Sequence, residues 1–452
     1  MNQISLKEKL GYSFGEFAAS SLWQGIIFFL PVFYTDTFGI TPGQVASLFL
    51  IVKFFDALND PIMGIIADRT NTRWGKYRPY LIWFGIPIAV AFVLMFSTPA
   101  IEGNLKLLYA YGTHFMVLIF YTIIMIPYNS LIGVVSSNPK ERTSLSSFKL
   151  VFAYGATMLV QYMGVNMVDK LGGGNDALGY KYTMMIIAAL SVVALFVVFI
   201  TTRERVKPIS SERNKIRQDF ADLGKNKPWW ILVGVSLMTL IYIVVRSGAI
   251  MYYFEYFVGS KKLAAAFMVS GTIAVAIGVL PTTYLSQKFG KIRLFILANI
   301  VIILTSIGFF FARPENIVLI FALQIIFSLA SGPGIPLIFS MLADAADYSE
   351  WKTGRRATAL VYSTSTFAQK MGVAFGGAIA MWVLAGFGYE AKMVQSAESL
   401  FGIRLVLSWI PAGIALIGTV LLFFYDLDHK KLETIEADLE QRRVDAKMED
   451  EE

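Results

Sequence analysis

The sequence predicts an all-α membrane protein of twelve transmembrane helices in two six-helix halves. Three observations predict it. Of 452 residues, 56% are hydrophobic and only 16% are charged. The charges cluster, leaving apolar runs of about 20 residues, the length that crosses a bilayer. Lys and Arg then fall mainly on alternate loops.

The runs lie at about 11–36, 43–67, 79–98, 106–134, 146–169, 181–202, 229–257, 263–286, 292–312, 316–343, 357–387 and 402–426. The first follows Lys7 and Lys9, is too long for a signal h-region and contains Glu16, so it reads as a retained span. The second carries Lys53, Asp56, Asn59 and Asp60; the third opens after Gly75-Lys76-Tyr77-Arg78. The fourth contains His114 and Pro127, and the fifth Lys149. The sixth ends in the longest basic loop, about 203–228. The seventh holds Arg246 near Tyr252, and the ninth opens on Gly290-Lys291-Ile292-Arg293. That tetrad follows the second span of its half, as the one at Gly75 does, which suggests a repeated half. Gly332-Pro333-Gly334-Ile335-Pro336 breaks the tenth, either as a tolerated kink or as a flexing point. The eleventh contains Gln369 and Lys370, and the twelfth precedes a polar tail expected to form a short surface helix.

These features divide the chain into a first half at 1–205, a linker at 206–228, a second half at 229–430 and a tail at 431–452. Of 39 Lys and Arg, 27 lie on the termini and the even-to-odd loops, which predicts cytoplasmic termini. There are no cysteines and only two histidines, His114 and His429. Disulfides, thiolate chemistry and multi-histidine metal sites are excluded, and no enzyme activity is expected. The net charge of +7 fits basic cytoplasmic loops better than nucleic-acid binding. No cofactor and no obligatory protein partner is indicated.

Asp56 and Asp60 are four residues apart, so they share a helix face, with Asn59 beside them. A charge near the bilayer centre costs about 2.5–3.5 kcal/mol on insertion scales. Two carboxylates on one face make a site for a sodium ion or a proton; the alternative is a structural salt bridge from Lys53.

Several segments carry a family resemblance. They include Tyr34-Thr35-Asp36, the stretch from Asp56 to Gly64, the loop from Gly64 through Asp68 and Arg69 to Arg73, Arg73-Trp74-Gly75-Lys76-Tyr77-Arg78-Pro79, Ile126-Pro127-Tyr128-Asn129 and the run from Ala343 to Gly354. Together they resemble the glycoside–pentoside–hexuronide:cation symporters of the major facilitator superfamily, from about residue 8 to 426.

The resemblance implies the major facilitator fold and cation-coupled import of a sugar, glycoside or sugar acid across a bacterial cytoplasmic membrane. A lipid or lysolipid carrier of related fold is the alternative. It implies cation ligands at Asp56, Asn59 and Asp60, with Thr122 added by Tyr121-Thr122-Ile123. Na+ or H+ would be the coupling ion, with sodium held at Asp56 and Asp60. Gly64, Asp68, Arg69 and Arg73 would form a cytoplasmic gate, with Gly64 permitting close helix approach.

Candidate substrate residues are Lys149, Arg246, Lys370, Gln369, Tyr121, Asn129, Trp23 and Tyr252. Met125 and Asn129 replace an acid and an aromatic found in the family's melibiose permease, so a simple α-galactoside is not expected. Three intramembrane cations, Lys149, Arg246 and Lys370, suit a substrate carboxylate or a hydroxyl-rich ring.

Overall fold

The computed structural model describes residues 4–136, 138–205, 223–354, 358–427, 431–435 and 437–442; at 57, 58, 61, 68, 139, 140, 358 and 359 it describes the backbone alone. Among these residues the structure is helical, apart from one isolated bridge between Thr72 and Gly75.

Among the described residues, helical stretches lie at each of the twelve expected positions. In chain order they are helix 1 (Leu6–Phe38), helix 2 (Pro42–Arg69), helix 3 (Pro79–Met95), helix 4 (Gly103–Val135), helix 5 (Pro139–Gly172) and helix 6 (Asp176–Thr201). Then follow helix 7 (Lys227–Phe257), helix 8 (Lys261–Val279, continued by Thr282–Phe289), helix 9 (Lys291–Phe311), helix 10 (Ile317–Thr353), helix 11 (Thr358–Gly386) and helix 12 (Ala397–Phe423). Ten are long and apolar enough to span a bilayer by themselves. Helix 3 is a shorter apolar helix, and helix 2 is long but carries Lys53, Asp56 and Asp60.

Local chemistry sets the helix starts. Ser5 accepts from Glu8 N at 3.2 Å, and Asn175 accepts from Leu178 N at 3.2 Å. Thr41 and Gln44 form a reciprocal capping box ahead of helix 2, with Pro42 at its first position. Each cap satisfies a backbone N–H that has no intrahelical partner. Two helices end in wider, π-type turns: helix 1 at Phe33–Phe38 and helix 7 at Tyr253–Phe257. These are equivalent places in the two halves.

The tetrads at Gly75 and Gly290 are also matched in backbone form, with φ of +110° and +80°. Only glycine adopts such angles without strain. The first tetrad is tied down by Glu204, just beyond helix 6. Its carboxylate accepts from the N–H groups of Lys76, Tyr77 and Arg78 at 2.7, 2.8 and 3.1 Å. A Cβ at residue 75 would lie 2.5 Å from Glu204 Oε1. The second tetrad is tied differently, by Lys291 to Asp344 on helix 10 at 2.7 Å.

The helix 10 break has a packing reason. A Cβ on Gly332 would come within 2.5 Å of the Gly278 backbone, and one on Gly278 within 2.2 Å of the Leu329 carbonyl. Helices 8 and 10 therefore cross backbone to backbone.

Two compact units result. One comprises Met1–Ser210, Ser247–Thr272 and Gly377–Val406; the other comprises Ser211–Arg246, Ile273–Gly376 and Leu407–Glu452. The division follows packing rather than chain order. Parts of helices 7, 8, 11 and 12 join the first unit, although the sequence boundaries place them at 229–430. Within the second unit, Leu342, Ala345, Val361 and Leu422 form a buried core that also takes up Ile435 and Leu439 from the tail. The expected surface helix is present at 431–435 and 437–442. Most of the expected linker, including Lys207, Arg213, Lys215 and Arg217, lies outside the described residues, as do His429 and the tail beyond 442.

Gly75→Ala should lower thermal stability in detergent, because it forces a side chain into a strained angle worth about 1–3 kcal/mol and against Glu204. Gly112→Ala, where a new Cβ meets nothing within 4 Å, should leave the melting temperature unchanged or raise it. Equal melting shifts would contradict the anchoring role of Glu204.

Candidate functional site

Helices 2 and 4 bring three of the expected cation ligands together. Thr122 Oγ1 lies 3.0 Å from Asp56 Oδ1 and 3.3 Å from Asp60 Oδ1. A hydroxyl has one proton, so it can donate to only one of these oxygens at a time. Asn59 lies on the same turn of helix 2, half-buried. Lys53 approaches from one turn earlier, with Nζ 3.3 Å from Asp56 Oδ2, and both side chains are buried. One ammonium against two carboxylates leaves this cluster one negative charge when all three are ionised. The donor set is entirely oxygen, as a small hard cation or a proton requires. Among the described residues, no group of three or more His, Cys, Asp or Glu is placed to hold a metal ion.

The cation cluster adjoins an aromatic pair. Lys53 Nζ sits 4.1 Å from the Trp23 ring centroid, and Trp23 packs against Tyr121 with centroids 5.7 Å apart. Trp23 and Tyr121 remain half-buried. His114 is enclosed on helix 4, with its ring edge-on to Phe49 at 5.7 Å.

A second polar cluster joins helices 1, 4 and 5. Lys149 Nζ lies 3.0 Å from Glu16 Oε2 and donates to Asn129 Oδ1 at 2.7 Å. The structure thus brings the candidates Lys149 and Asn129 into contact. Glu16, not counted among the site residues from sequence, binds the same ammonium. The other basic candidates belong to the second unit. Arg246 is buried, 4.0 and 4.5 Å from the ring centroids of Phe327 and Phe309, and it hydrogen-bonds Gln324 at 2.5 Å. Gln369 and Lys370 are adjacent and half-buried on helix 11.

The expected gate residues are spread along the end of helix 2. A Cβ on Gly64 would meet nothing within 4 Å, so the close helix approach expected there is not made. Arg69 is exposed, and Arg73 is exposed with its guanidinium 4.7 Å from the Trp74 ring centroid. The Asp68 side chain lies outside what is described.

Sequence reasoning missed a third cluster, centred on Asp36 in the π-type end of helix 1. Tyr389 donates to Asp36 Oδ1 at 2.6 Å and Tyr256 donates to Oδ2. Thr35 adds a 2.5 Å bond to the same carboxylate and lies 2.9 Å from the Tyr252 hydroxyl. Tyr252, expected near substrate, is fully buried in this cluster. Burial, then the neighbouring Tyr252 and Asp36, pushes the Tyr389 phenol far above its ordinary range, so it stays a neutral donor. Close by, Lys392 donates its backbone N–H to the Tyr256 hydroxyl at 3.2 Å and pairs with Asp176 at 2.9 Å. The available signal was Tyr34-Thr35-Asp36, an acid at the end of an apolar run.

A helical membrane protein with two carboxylates converging on one threonine is the class that this fold and site define. The family model described as MFS/sugar transport protein matches residues 11–429, and the chain belongs to the glycoside–pentoside–hexuronide:cation symporter family of the major facilitator superfamily. The chain is 31% identical to the inner membrane symporter YicJ of Escherichia coli (strain K12) over 440 residues, covering 97% of this chain and 95% of YicJ. It is 32% identical to the isoprimeverose transporter of Lactiplantibacillus pentosus over 447 residues, covering 98% and 93% respectively. Among solved structures it matches the nucleoside transporter NupG with a TM-score of 0.67 at 15% identity, over 92% of this chain and 98% of that one. That last likeness bears on the fold alone.

Two outcomes follow from the geometry. Thr122→Val should weaken apparent cation affinity about tenfold, equivalent to about 1.4 kcal/mol, in cation-dependent uptake by membrane vesicles. Asp36→Asn removes the charge that two phenols address, so amide exchange should rise in residues 253–257 and 387–393. Unchanged protection there would contradict a fastening role for Asp36.

Proposed function

We propose that this chain is a secondary carrier that imports a sugar or glycoside together with one monovalent cation, Na+ or H+. The observation that carries the reading is the convergence of Asp56, Asp60 and Thr122, with Lys53 balancing one of the two charges. One added positive charge neutralises the cluster. That suits a monovalent coupling ion and argues against a divalent one. Asn59 completes the proposed ligand set. Trp23, Tyr121, Asn129 and Lys149 form the proposed sugar site of the first unit, where aromatic faces and hydrogen-bonding groups lie together. Gln369 and Lys370 are the candidates of the second unit. Arg246, enclosed by phenylalanines, is assigned to packing, and Tyr252 to the Asp36 cluster. The membership in a sugar symporter family favours this reading over the lipid-carrier alternative.

The protein is multi-pass, and we place it in the bacterial cytoplasmic membrane with both termini inside, as the Lys and Arg distribution requires. On that orientation the Asp36 cluster lies at the outer end of helix 1. Arg69 and Arg73, with Asp68, lie at the inner end of helix 2. Cation binding removes buried charge beside Trp23 and Tyr121 and so favours sugar binding. Linkage makes the coupling reciprocal, typically about 1–3 kcal/mol.

Asp56→Asn and Asp60→Asn should each abolish concentrative sugar uptake in vesicles while leaving membrane insertion intact. Imposing a sodium gradient or a pH gradient separately identifies the ion. Near-normal accumulation by both variants would overturn the cation site.

A further inference from the structure

The basic group on helix 5 is not a bare positive charge. Lys149 Nζ is held by Glu16 Oε2 at 3.0 Å and by Asn129 Oδ1 at 2.7 Å, 5.1 Å from the Tyr128 ring centroid. The other Glu16 oxygen accepts from Ser20 at 3.4 Å. The Lys149 and Glu16 side chains keep 25% and 21% of their exposure, against 5% and 4% for Lys53 and Asp56. The pair is therefore fixed in place yet reachable.

An ammonium offers three donors and no acceptor; here one goes to Asn129 and the charge is paired with Glu16, which leaves a third N–H. A sugar hydroxyl can accept the third and donate its own proton to the Glu16 carboxylate. A substrate carboxylate can only accept, so it would have to sit beside Glu16. Two like charges a few ångströms apart repel strongly where water is scarce. Discrimination of this kind comes from a built-in repulsion against the wrong ligand as much as from attraction to the right one.

We propose that Glu16 is a specificity-determining residue: it neutralises Lys149 and selects neutral, hydroxyl-rich sugars or glycosides over sugar acids. The inference rests on the sugar-symport reading and names its substrate class. It also reverses what the count of intramembrane cations suggests from sequence, since the structure gives Lys149 a carboxylate of its own.

The test is counterflow in membrane vesicles, comparing a labelled neutral pentoside with a labelled glucuronide. The readout is the ratio of the two rates, which cancels differences in expression. The wild type should favour the pentoside. Glu16→Gln, which keeps the shape and removes the charge, should raise the glucuronide-to-pentoside ratio at least about tenfold. Glu16→Ala should shift the ratio in the same direction, and Glu16→Asp should stay near the wild type. An unchanged ratio in the Gln and Ala variants would overturn the assignment. So would a wild type that favours the glucuronide, a result independent of any variant. Counterflow of neither sugar by the wild type would overturn the sugar-symport reading and this assignment with it.

Discussion

The constraint on which this structure depends is the expense of holding charge in an apolar span. An unpaired ion there is penalised by several kcal/mol, so its position is determined by whatever can compensate it. Lys53 is set against Asp56, Lys149 against Glu16, and Arg246 against Gln324 and two phenylalanine faces. Each compensation fixes a different degree of access. The Lys53–Asp56 pair is enclosed, the Lys149–Glu16 pair is open to small polar molecules, and Arg246 is enclosed by rings. What separates the three is the partner that each charge is given.

Much of the fold could be read from the sequence because it follows from solvent. Apolar runs of bilayer length, punctuated by basic loops, leave few alternatives, and all twelve helices lie where those runs fall. The carboxylate pair on helix 2 was legible for a related reason. Asp56 and Asp60 are neighbours on one helix by spacing alone, and only Thr122 had to come from elsewhere. The partners of Lys149 and Arg246 were not legible. Glu16 and Gln324 lie 133 and 78 residues away, and sequence spacing carries no information about contacts between helices. The grouping of helix ends into compact units was hidden for the same reason. Gly64 shows the converse, since its family motif suggested a close helix approach that the packing does not make.

The matched features of the two halves are backbone features. The glycines at 75 and 290 share a positive φ, and helices 1 and 7 share a π-type end. The side chains that exploit them differ. Glu204 caps one tetrad through three amides, whereas Lys291 and Asp344 hold the other through an ion pair. Helix 1 places Asp36 in its wide turn, and helix 7 places Tyr256 in the equivalent one, so the shared geometry there supplies an acceptor and its donor. A repeated backbone has thus been fitted with complementary rather than duplicated chemistry.

The crossing of helices 8 and 10 imposes a condition on how this lineage can change. A Cβ at Gly332 would meet the Gly278 backbone and one at Gly278 would meet the Leu329 carbonyl, so neither site can enlarge while the helices keep this crossing. A methyl group at one would have to be accompanied by a shift of the whole opposite helix, which a single further substitution does not provide. Both positions are therefore held to glycine by one crossing, and either can take a side chain only with a change in how the two helices cross.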